Sequence, residues 1–575
     1  MPRFLLVSLS IAAILGEATV HKRRERLNIM TSGLGLDGAY DATLDRIKGQ
    51  GKGRSVFGMA ALMWISRSER PMHIEELCDA LAVEIGSKDV ERDNIPSEKT
   101  VLASCLGLLT IDKNSIVRLV HFTLQEYFNT HSEHFKNPQS TMAEVCLTYL
   151  NFDSVDNISH TLDSAPAEKR FLQYASSYWG LYARSGLTKS VKSLTLQLLG
   201  KFGGHISAKL LLRENFGTRE QGTRNFEGFT GLHCAAYFGL EKIVAVLLGV
   251  KGCEADRTDA WGRTPLMWAA ERGDERTVKL ILNQRKVNPD SRDKDGRTPL
   301  LHATRGGHKG IVKLLLDRKE VNPDSKDDNC ETPLLCAARG GHEGIIKLLL
   351  CQKNVNPDPR DKFNRTPLSY AASGGHEGIV KVLLERKKVN SDQRDNFERT
   401  PLSYAASGGH EGTVKMLLGQ EGVNPDSRDR FNRTPLSYAA PGGHYGTVKM
   451  LLDREEVDPD SRDNFNRTPL SYAAPGGHEG TVKILLSRKD VDPDSRDKFN
   501  RTPLSYAASG GHEGTVKTLL GREEVKPDSR DKDDKTPLSY ATLAGHEGIE
   551  KMLLDGKGVD PDFQDDNGGA GCRVM

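Results

Sequence analysis

The chain has 575 residues, of which 37% are apolar and 27% charged, a composition typical of globular proteins. Eighty basic and 78 acidic residues leave a formal net charge of +2, so the sequence lacks the basic excess that marks nucleic-acid binding. The length exceeds what one hydrophobic core supports, which predicts several domains. Nine cysteines without a CxxC pair indicate free thiols in a reducing compartment, not a disulfide framework or a zinc site.

Residues 1–52 open with a short apolar stretch from Phe4 to Leu15. It is compatible with a secretory signal cleaved near residues 16–18, or with a helix at the edge of a domain. The odd cysteine count disfavours secretion, and no apolar stretch is long enough to span a bilayer. We therefore predict a helical segment in a cytoplasmic protein, with secretion as the alternative if residues 1–18 act as a signal peptide.

Residues 53–135 have the pattern of helices followed by a β-hairpin. Apolar residues at helical spacing predict three helices: one over residues 59–67, one that begins at Pro71 and one over residues 101–108. Apolar segments at 109–111 and 116–119 flank the turn sequence of residues 112–115, which predicts a hairpin. This order predicts a winged-helix domain. The third helix offers only Lys99, at its start, as a basic residue, so we expect no nucleic-acid partner.

Several motifs here resemble a fungal receptor family. They are SRSERPM at 66–72, EEL at 75–77, RLVH at 118–121, QEYF at 125–128, and YA, YWG and AR within 174–184. These resemble the winged helix, also described from inositol-deacylase-like proteins, and the helical connector that precede ankyrin repeats in NACHT/NOD-like receptor proteins. The resemblance implies a helical connector over 136–222 and an ATPase remnant over 1–52. It also implies that His121 holds the position of a nucleotide-sensing histidine.

The phosphate loop that such an ATPase requires is not found in the sequence. No GxxxxGK[ST] motif occurs, and the GxGxxG match at 33–38 follows no predicted strand. No GxSxG or HExxH motif and no pair of carboxylates for acid–base catalysis is recognised. We therefore predict no catalytic residue, no cofactor, no metal, and a structural role for His121.

From residue 223 to 563 the sequence repeats with a period of 34 residues. The ten units are marked by Thr230, Thr264, Thr298, Thr332, Thr366, Thr400, Thr434, Thr468, Thr502 and Thr536. Each threonine is a predicted helix N-cap with proline, usually, at the first helical position. Asn364 and its glycine equivalents are predicted to have a positive φ, and Gly374-Gly375 to end the first helix.

The pattern TPLxxAAxxGHxxIVxxLL resembles the ankyrin repeat and lacks the tryptophan and tyrosine signature of the tetratricopeptide repeat, which has the same period. The predicted fold is mostly α: an ankyrin-repeat solenoid of about ten units with short β-hairpin fingers, preceded by a small winged-helix domain and a helical connector. Gly-His recurs in eight units, and we predict that these histidines bond adjacent backbone and bind no metal.

Aromatic residues occupy one recurring position, three residues before the threonine. They are Trp261, Phe363, Phe397, Phe431, Phe465 and Phe499, and the basic residues Lys362, Arg430 and Lys498 stand beside three of them. The ankyrin resemblance implies that this position lies on the finger near the partner-binding groove. Two interpretations are open: the rings form an exposed protein-binding row, or each packs on the next finger and stiffens the array. These nine residues are the candidate binding residues.

Residues 564–575 form a glycine-rich, flexible tail that ends in Cys572-Arg573-Val574-Met575. This ending fits a prenylation box with Cys572 as the lipidated residue, although Arg573 is not aliphatic and the preceding segment is acidic. Cys572 is therefore a candidate lipidation site and the predicted route to weak membrane attachment.

The sequence predicts a non-enzymatic scaffold or adaptor that binds a protein partner through the array of residues 223–563. The alternative is a truncated, nucleotide-dependent NOD-like receptor signalling protein whose ATPase is missing from this chain. The sequence does not identify the partner.

Overall fold

The computed structural model describes residues 19–22, 36–159, 164–216 and 228–555. The apolar stretch over 4–15 and the candidate lipidation site Cys572 lie outside the described residues. The chain divides into two compact units, Met1–Lys294 and Asp295–Met575. Across the described ranges, no helix combines the length and the apolar character needed to cross a bilayer.

The winged-helix region lies in the first unit. Its elements are α1 (Leu36–Lys48), α2 (Lys52–Arg67), α3 (Ile74–Ala82), α4 (Glu98–Ser104), β1 (Leu109–Ile111), β2 (Val117–Leu119) and α5 (Phe122–Thr130). Strands β1 and β2 pair antiparallel with Leu109 opposite Leu119, as the hairpin pattern predicts. The domain is therefore a set of helices carrying one small wing.

The helix that the sequence predicts to begin at Pro71 begins later in the structure. Helix α3 starts at Ile74, not at Pro71. The backbone N–H of Val117 donates to the Met72 carbonyl at 2.9 Å, and the N–H of Ile74 donates to Ser115 at 2.9 Å. Because residues 72–73 pair with the wing, they are extended and cannot be part of the helix.

A helical connector follows the wing. Its helices are α6 (Pro138–Leu150), α7 (Asp153–Asp156), α8 (Phe171–Ser185), α9 (Lys189–Gly200) and α10 (Ile206–Phe216). Trp64 of α2 is buried, and its ring meets the rings of Phe171 and Tyr174 of α8 edge-on at centroid distances of 5.6 and 6.0 Å. Aromatic packing of this kind joins the winged helix and the connector into one core.

The first two repeats belong to this unit and comprise α11 (Gly231–Phe238), α12 (Glu241–Leu248), α13 (Pro265–Arg272) and α14 (Glu275–Leu282). The connector covers α11 closely. A Cβ added at Gly180 would lie 2.2 Å from the Phe238 ring, and one added at Gly231 would lie 2.3 Å from the Leu199 carbonyl oxygen. Glycine is needed at both positions, and the first repeat is sealed by the connector.

The second unit consists of helix pairs, one pair per repeat. They are α15 (Pro299–Arg305), α16 (Lys309–Leu316), α17 (Pro333–Arg339), α18 (Glu343–Leu350), α19 (Pro367–Ser373), α20 (Glu377–Leu384), α21 (Pro401–Ser407), α22 (Glu411–Leu418), α23 (Pro435–Ala439), α24 (Tyr445–Leu452), α25 (Pro469–Ala473), α26 (Glu479–Leu486), α27 (Pro503–Gly510), α28 (Glu513–Leu520), α29 (Pro537–Ala544) and α30 (Glu547–Leu554). Helices α23 and α25 are shorter because Pro441 and Pro475 follow them in 3₁₀ turns.

The local signals in each repeat act as predicted. The Thr366 side chain accepts a hydrogen bond from the Ser369 N–H at 3.2 Å, and Pro367 opens the helix. Asn364 has a φ of +63° and Gly375 one of +65°, so the turn and the helix end both use left-handed backbone. The second helix buries Val380 completely, whereas Glu550 at the same position of the last repeat is partly exposed.

Candidate functional site

Each finger that carries a phenylalanine is shaped by a buried aspartate at its start. The Asp463 side chain is 1% exposed, and its Oδ1 accepts from the backbone N–H groups of Phe465 and Arg467, both at 2.8 Å. The Asn466 N–H closes the turn on the Asp463 carbonyl at 2.9 Å. The same pair of bonds to Oδ1 occurs at Asp361, Asp395, Asp429 and Asp497. The backbone position of each phenylalanine is therefore fixed before any partner binds.

The second oxygen of the aspartate binds two side chains of its own repeat. Oδ2 of Asp463 accepts from Arg467 Nε at 3.0 Å and from the Tyr472 hydroxyl at 2.7 Å. Burial by itself raises the pKa of Asp463, but the hydrogen bonds from Tyr472, the finger backbone and Arg467 bring it below its ordinary value. The carboxylate is thus ionised at neutral pH and compensates the charge of Arg467.

This arginine also stacks on two aromatic rings. The guanidinium carbon of Arg467 lies 5.1 Å from the centroid of Phe465 and 4.7 Å from that of Tyr472. The corresponding distances to the phenylalanine are 4.8–5.2 Å in all five fingers. A cation at this distance is attracted to the ring face, so the arginine holds the phenylalanine side chain in place and covers part of it.

The five phenylalanines, here called the phenylalanine row, remain half exposed. They are Phe363, Phe397, Phe431, Phe465 and Phe499, with 41–49% of each residue accessible to solvent. Neighbouring fingers are joined through backbone: the N–H of Arg430 donates to the Phe397 carbonyl at 2.9 Å, and that of Lys498 to the Phe465 carbonyl at 2.8 Å. Backbone groups therefore join one finger to the next, while a large part of each ring is left accessible to solvent.

The predicted basic residues differ in their surroundings. Lys362 Nζ donates to Asn329 Oδ1 at 2.6 Å and lies 5.2 Å from the Phe363 centroid. Arg430 and Lys498 are exposed, and neither pairs with an acidic side chain in the described part of the chain. The fingers between them carry asparagine at this position. Positive charge therefore recurs on every second finger of the row.

Trp261 lies in the first unit and has a different environment from the five phenylalanines. It is partly buried, and its ring meets the Trp268 ring at a centroid distance of 6.4 Å. Trp268 Nε1 donates to Asp259 Oδ2 at 2.9 Å, in the place that a tyrosine hydroxyl takes in the second unit. Arg263 pairs with Glu271 at 2.8 Å. This finger has the predicted turn but presents less aromatic surface.

The recurrent histidines connect successive repeats. Nε2 of His478 donates to the Pro441 carbonyl at 3.0 Å. Equivalent bonds, at 2.8–3.3 Å, are made by His410, His444, His512 and His546. No group of three histidine, cysteine or acidic residues suited to a metal occurs within the described ranges. Five of the eight recurrent histidines thus bond the backbone of the preceding repeat, as the sequence predicts.

His121 of the winged helix also has a local role. It precedes α5, and its Nδ1 accepts from the Thr123 N–H at 3.3 Å. Its ring contacts that of Phe122, with centroids 4.4 Å apart and the ring planes tilted by 36°. These contacts explain the histidine as a helix cap.

The group of aspartate, arginine and tyrosine in each finger was not recognised from the sequence. Tyr472 follows Asp463 by nine residues and stands on another element, so their contact is visible only in the fold. A usable signal existed, because tyrosine recurs at this position in the same 34-residue register as the phenylalanine row.

Comparison with known families agrees with this architecture. The sequence profile described as ankyrin repeats (3 copies) matches residues 196–293, 266–361, 345–429, 412–497 and 477–565. The profile described as the winged helix domain of GPI inositol-deacylase matches residues 44–136. A search of the curated proteins found no match. Ankyrin repeats form a protein-interaction scaffold. Together the ankyrin-repeat matches cover more than half of the chain, so the chain belongs to the ankyrin-repeat family.

Proposed function

We propose that the chain is a non-enzymatic scaffold or adaptor that binds a protein partner along the phenylalanine row. The observation that carries the proposal is the half exposure of five rings whose backbone and side chains are already held in place. Ordered aromatic side chains lose little conformational freedom on binding, which is why aromatic residues dominate binding hot spots.

The exposed ring surface is large enough to matter energetically. A phenylalanine side chain offers on the order of 200 Å², and slightly less than half of each residue is exposed. Covering that part of one ring stabilises a complex by about 2 kcal/mol at about 25 cal/mol per Å². Several rings used together offset the entropy lost on association, which costs roughly 4–15 kcal/mol.

The basic residues Lys362, Arg430 and Lys498 extend the same surface. Arg430 and Lys498 are exposed beside half-exposed rings, where a positive charge speeds association with an acidic partner and restricts the choice of partner. Trp261 contributes less in this proposal, because it is partly buried.

The proposal is tested by selecting displayed protein fragments on the immobilised full chain. The variant replaces Phe431 and Phe465 with serine. The matched control replaces Tyr445 with serine, an aromatic residue of similar exposure, 50%, that lies on α24 and outside the row. We expect the wild type and the control to enrich the same fragments, and the row variant to bind them at least about tenfold more weakly.

Equal binding by the row variant contradicts the proposal, and an unchanged circular dichroism spectrum shows that any loss of binding is not a loss of the fold. A fragment set that depends on Tyr445 instead of the row also contradicts the proposal.

A second candidate function follows from the order of winged helix, connector and ankyrin array. This order resembles that of NOD-like receptor proteins, and the match of residues 44–136 to the winged helix domain of GPI inositol-deacylase supports its first element. The chain is then the sensing part of a nucleotide-dependent signalling protein. A transcript that encodes a phosphate loop in frame upstream of Met1 is expected under this candidate, and its absence from full-length transcripts contradicts it.

A further inference from the structure

The rings of the phenylalanine row recur at a fixed step. Each phenylalanine carbonyl accepts the backbone N–H of the next finger, at 2.8–3.0 Å along the whole row. Helices α19 and α21, the first helices of consecutive repeats, pack against each other, and packed helices lie about 8–10 Å apart. Successive rings are therefore displaced by about one helix spacing.

This step can be compared with the periods of a bound polypeptide. A polyproline II helix has three residues per turn and rises about 3.1 Å per residue, so one face recurs every ~9.3 Å. A strand returns to one face every ~6.7 Å, and an α-helix every ~5.4 Å. Of these three periods, only that of polyproline II lies within the spacing of packed helices, about 8–10 Å, so this conformation can place one side chain on every ring.

The chemistry of the row also suits such a segment. Flat, half-exposed aromatic rings line the grooves that recognise proline-rich segments, whose extended form is already populated in the free state. In each finger the arginine stacked on the phenylalanine fixes where that ring stands. A rigid ligand therefore meets a rigid row, and little ordering is needed on either side.

The cations that directly precede the phenylalanines recur at twice the ring period. Lys362, Arg430 and Lys498 stand on the first, third and fifth fingers, while Asn396 and Asn464 stand on those between. Two turns of polyproline II contain six residues. A carboxylate on every sixth residue would thus face each cation, and an uncharged side chain midway would face each asparagine.

Resting on the proposed function, we infer that the phenylalanine row binds an extended, proline-rich protein segment. This segment carries an acidic residue every six positions and an apolar residue three positions from each. The partner is identified by that period and charge.

The test uses a fluorescein-labelled peptide made of three copies of Glu-Pro-Pro-Leu-Pro-Pro and the full chain, with binding measured by fluorescence anisotropy. One control peptide has the same composition with its glutamates adjacent, and a second has lysine in place of glutamate. We expect each control to bind at least about tenfold more weakly than the periodic peptide, since each loses the matched charges.

A charge reversal in the chain sharpens the test. The variant combines Arg430→Glu and Lys498→Glu, both at exposed positions. The matched control combines Lys388→Glu and Lys489→Glu, two exposed lysines outside the row. The double variant should bind the glutamate peptide about tenfold or more weakly than the wild type does, and the lysine peptide more tightly. The control should keep the wild-type preference.

Three results overturn the inference: equal affinity for the periodic and the rearranged peptide, no effect of the charge reversal, or tighter binding of an amphipathic α-helical peptide. If selected fragments depend on the row but lack the three-residue period, this inference fails while the scaffold proposal stands. If neither fragments nor peptides depend on Phe431 and Phe465, both fail.

Discussion

Two fingers of the molecule, one from each compact unit, have the same backbone hydrogen bonds but differ in their side-chain contacts. In the first unit Asp259 Oδ1 accepts from the N–H groups of Trp261 and Arg263, both at 2.9 Å. In the second unit Asp463 makes the same two bonds at 2.8 Å. The turn is thus specified by the aspartate, whichever aromatic residue the finger carries.

The other carboxylate oxygen distinguishes the two fingers. Asp259 receives the indole N–H of Trp268, while Arg263 pairs with Glu271. Burial raises the pKa of Asp259, and its hydrogen bonds do not reverse that shift. Asp463 is bonded directly by its arginine, and its pKa is lowered in spite of burial. The aromatic residue on the first helix therefore decides whether the finger holds a compensated ion pair beneath an exposed ring.

The largest expected effect comes from removing the carboxylate charge. Asp463→Asn leaves Arg467 without its ion pair and should weaken that finger by about 2 kcal/mol, because hydrogen bonds between charged groups contribute about 1.5–3 kcal/mol. Asp259→Asn should cost less than about 1 kcal/mol, since Arg263 keeps Glu271. Hydrogen exchange of the finger amides measures both. Equal losses in the two fingers would remove the distinction drawn between them.

An intermediate effect is expected from the aromatic residues themselves. Trp261 is partly buried against Trp268, so Trp261→Ser should destabilise its unit by about 1–2 kcal/mol through lost burial. Phe465 is 44% exposed, so Phe465→Ser should cost less, about 1 kcal/mol or below. Denaturant unfolding followed by circular dichroism compares them. A larger loss for Phe465 would favour a stiffening role for the row.

The smallest expected effect is the pH dependence, which should have opposite signs in the two fingers. The folded pKa of Asp463 is lowered, so its stabilisation is present above the unfolded pKa of about 3.9 and is lost as pH falls through the folded value. The folded pKa of Asp259 is raised, so its stabilisation is present below the unfolded pKa and is lost as pH rises through the folded value.

Thermal unfolding between pH 3 and pH 7 checks these signs. The difference between wild type and Asp463→Asn should shrink in acid, and that between wild type and Asp259→Asn should grow, each by about 1 kcal/mol or less. The same trend in both variants would contradict the opposite pKa directions.

Much of the fold could be predicted because its signals are local. Thr366 specifies a helix start through its side-chain cap and Pro367 through its fixed φ, and Asn364 specifies a left-handed turn. Two apolar segments that flank a turn sequence predict the wing, whereas the sequence places the start of α3 at Pro71 and not at Ile74. The cause of the later start is the pairing of Met72 with Val117, residues far apart in the sequence.

The candidate site likewise has features that local sequence signals predict and features that depend on contacts between elements. The sequence by itself determined the 34-residue register, the family and the recurring position of Phe363 to Phe499. It left open whether those rings are exposed or packed. Only the tertiary structure shows that the rings are half exposed, because their exposure depends on Arg467 reaching both Phe465 and Tyr472 and on backbone bonds that join one finger to the next. Such contacts form between elements, where no local sequence pattern records them.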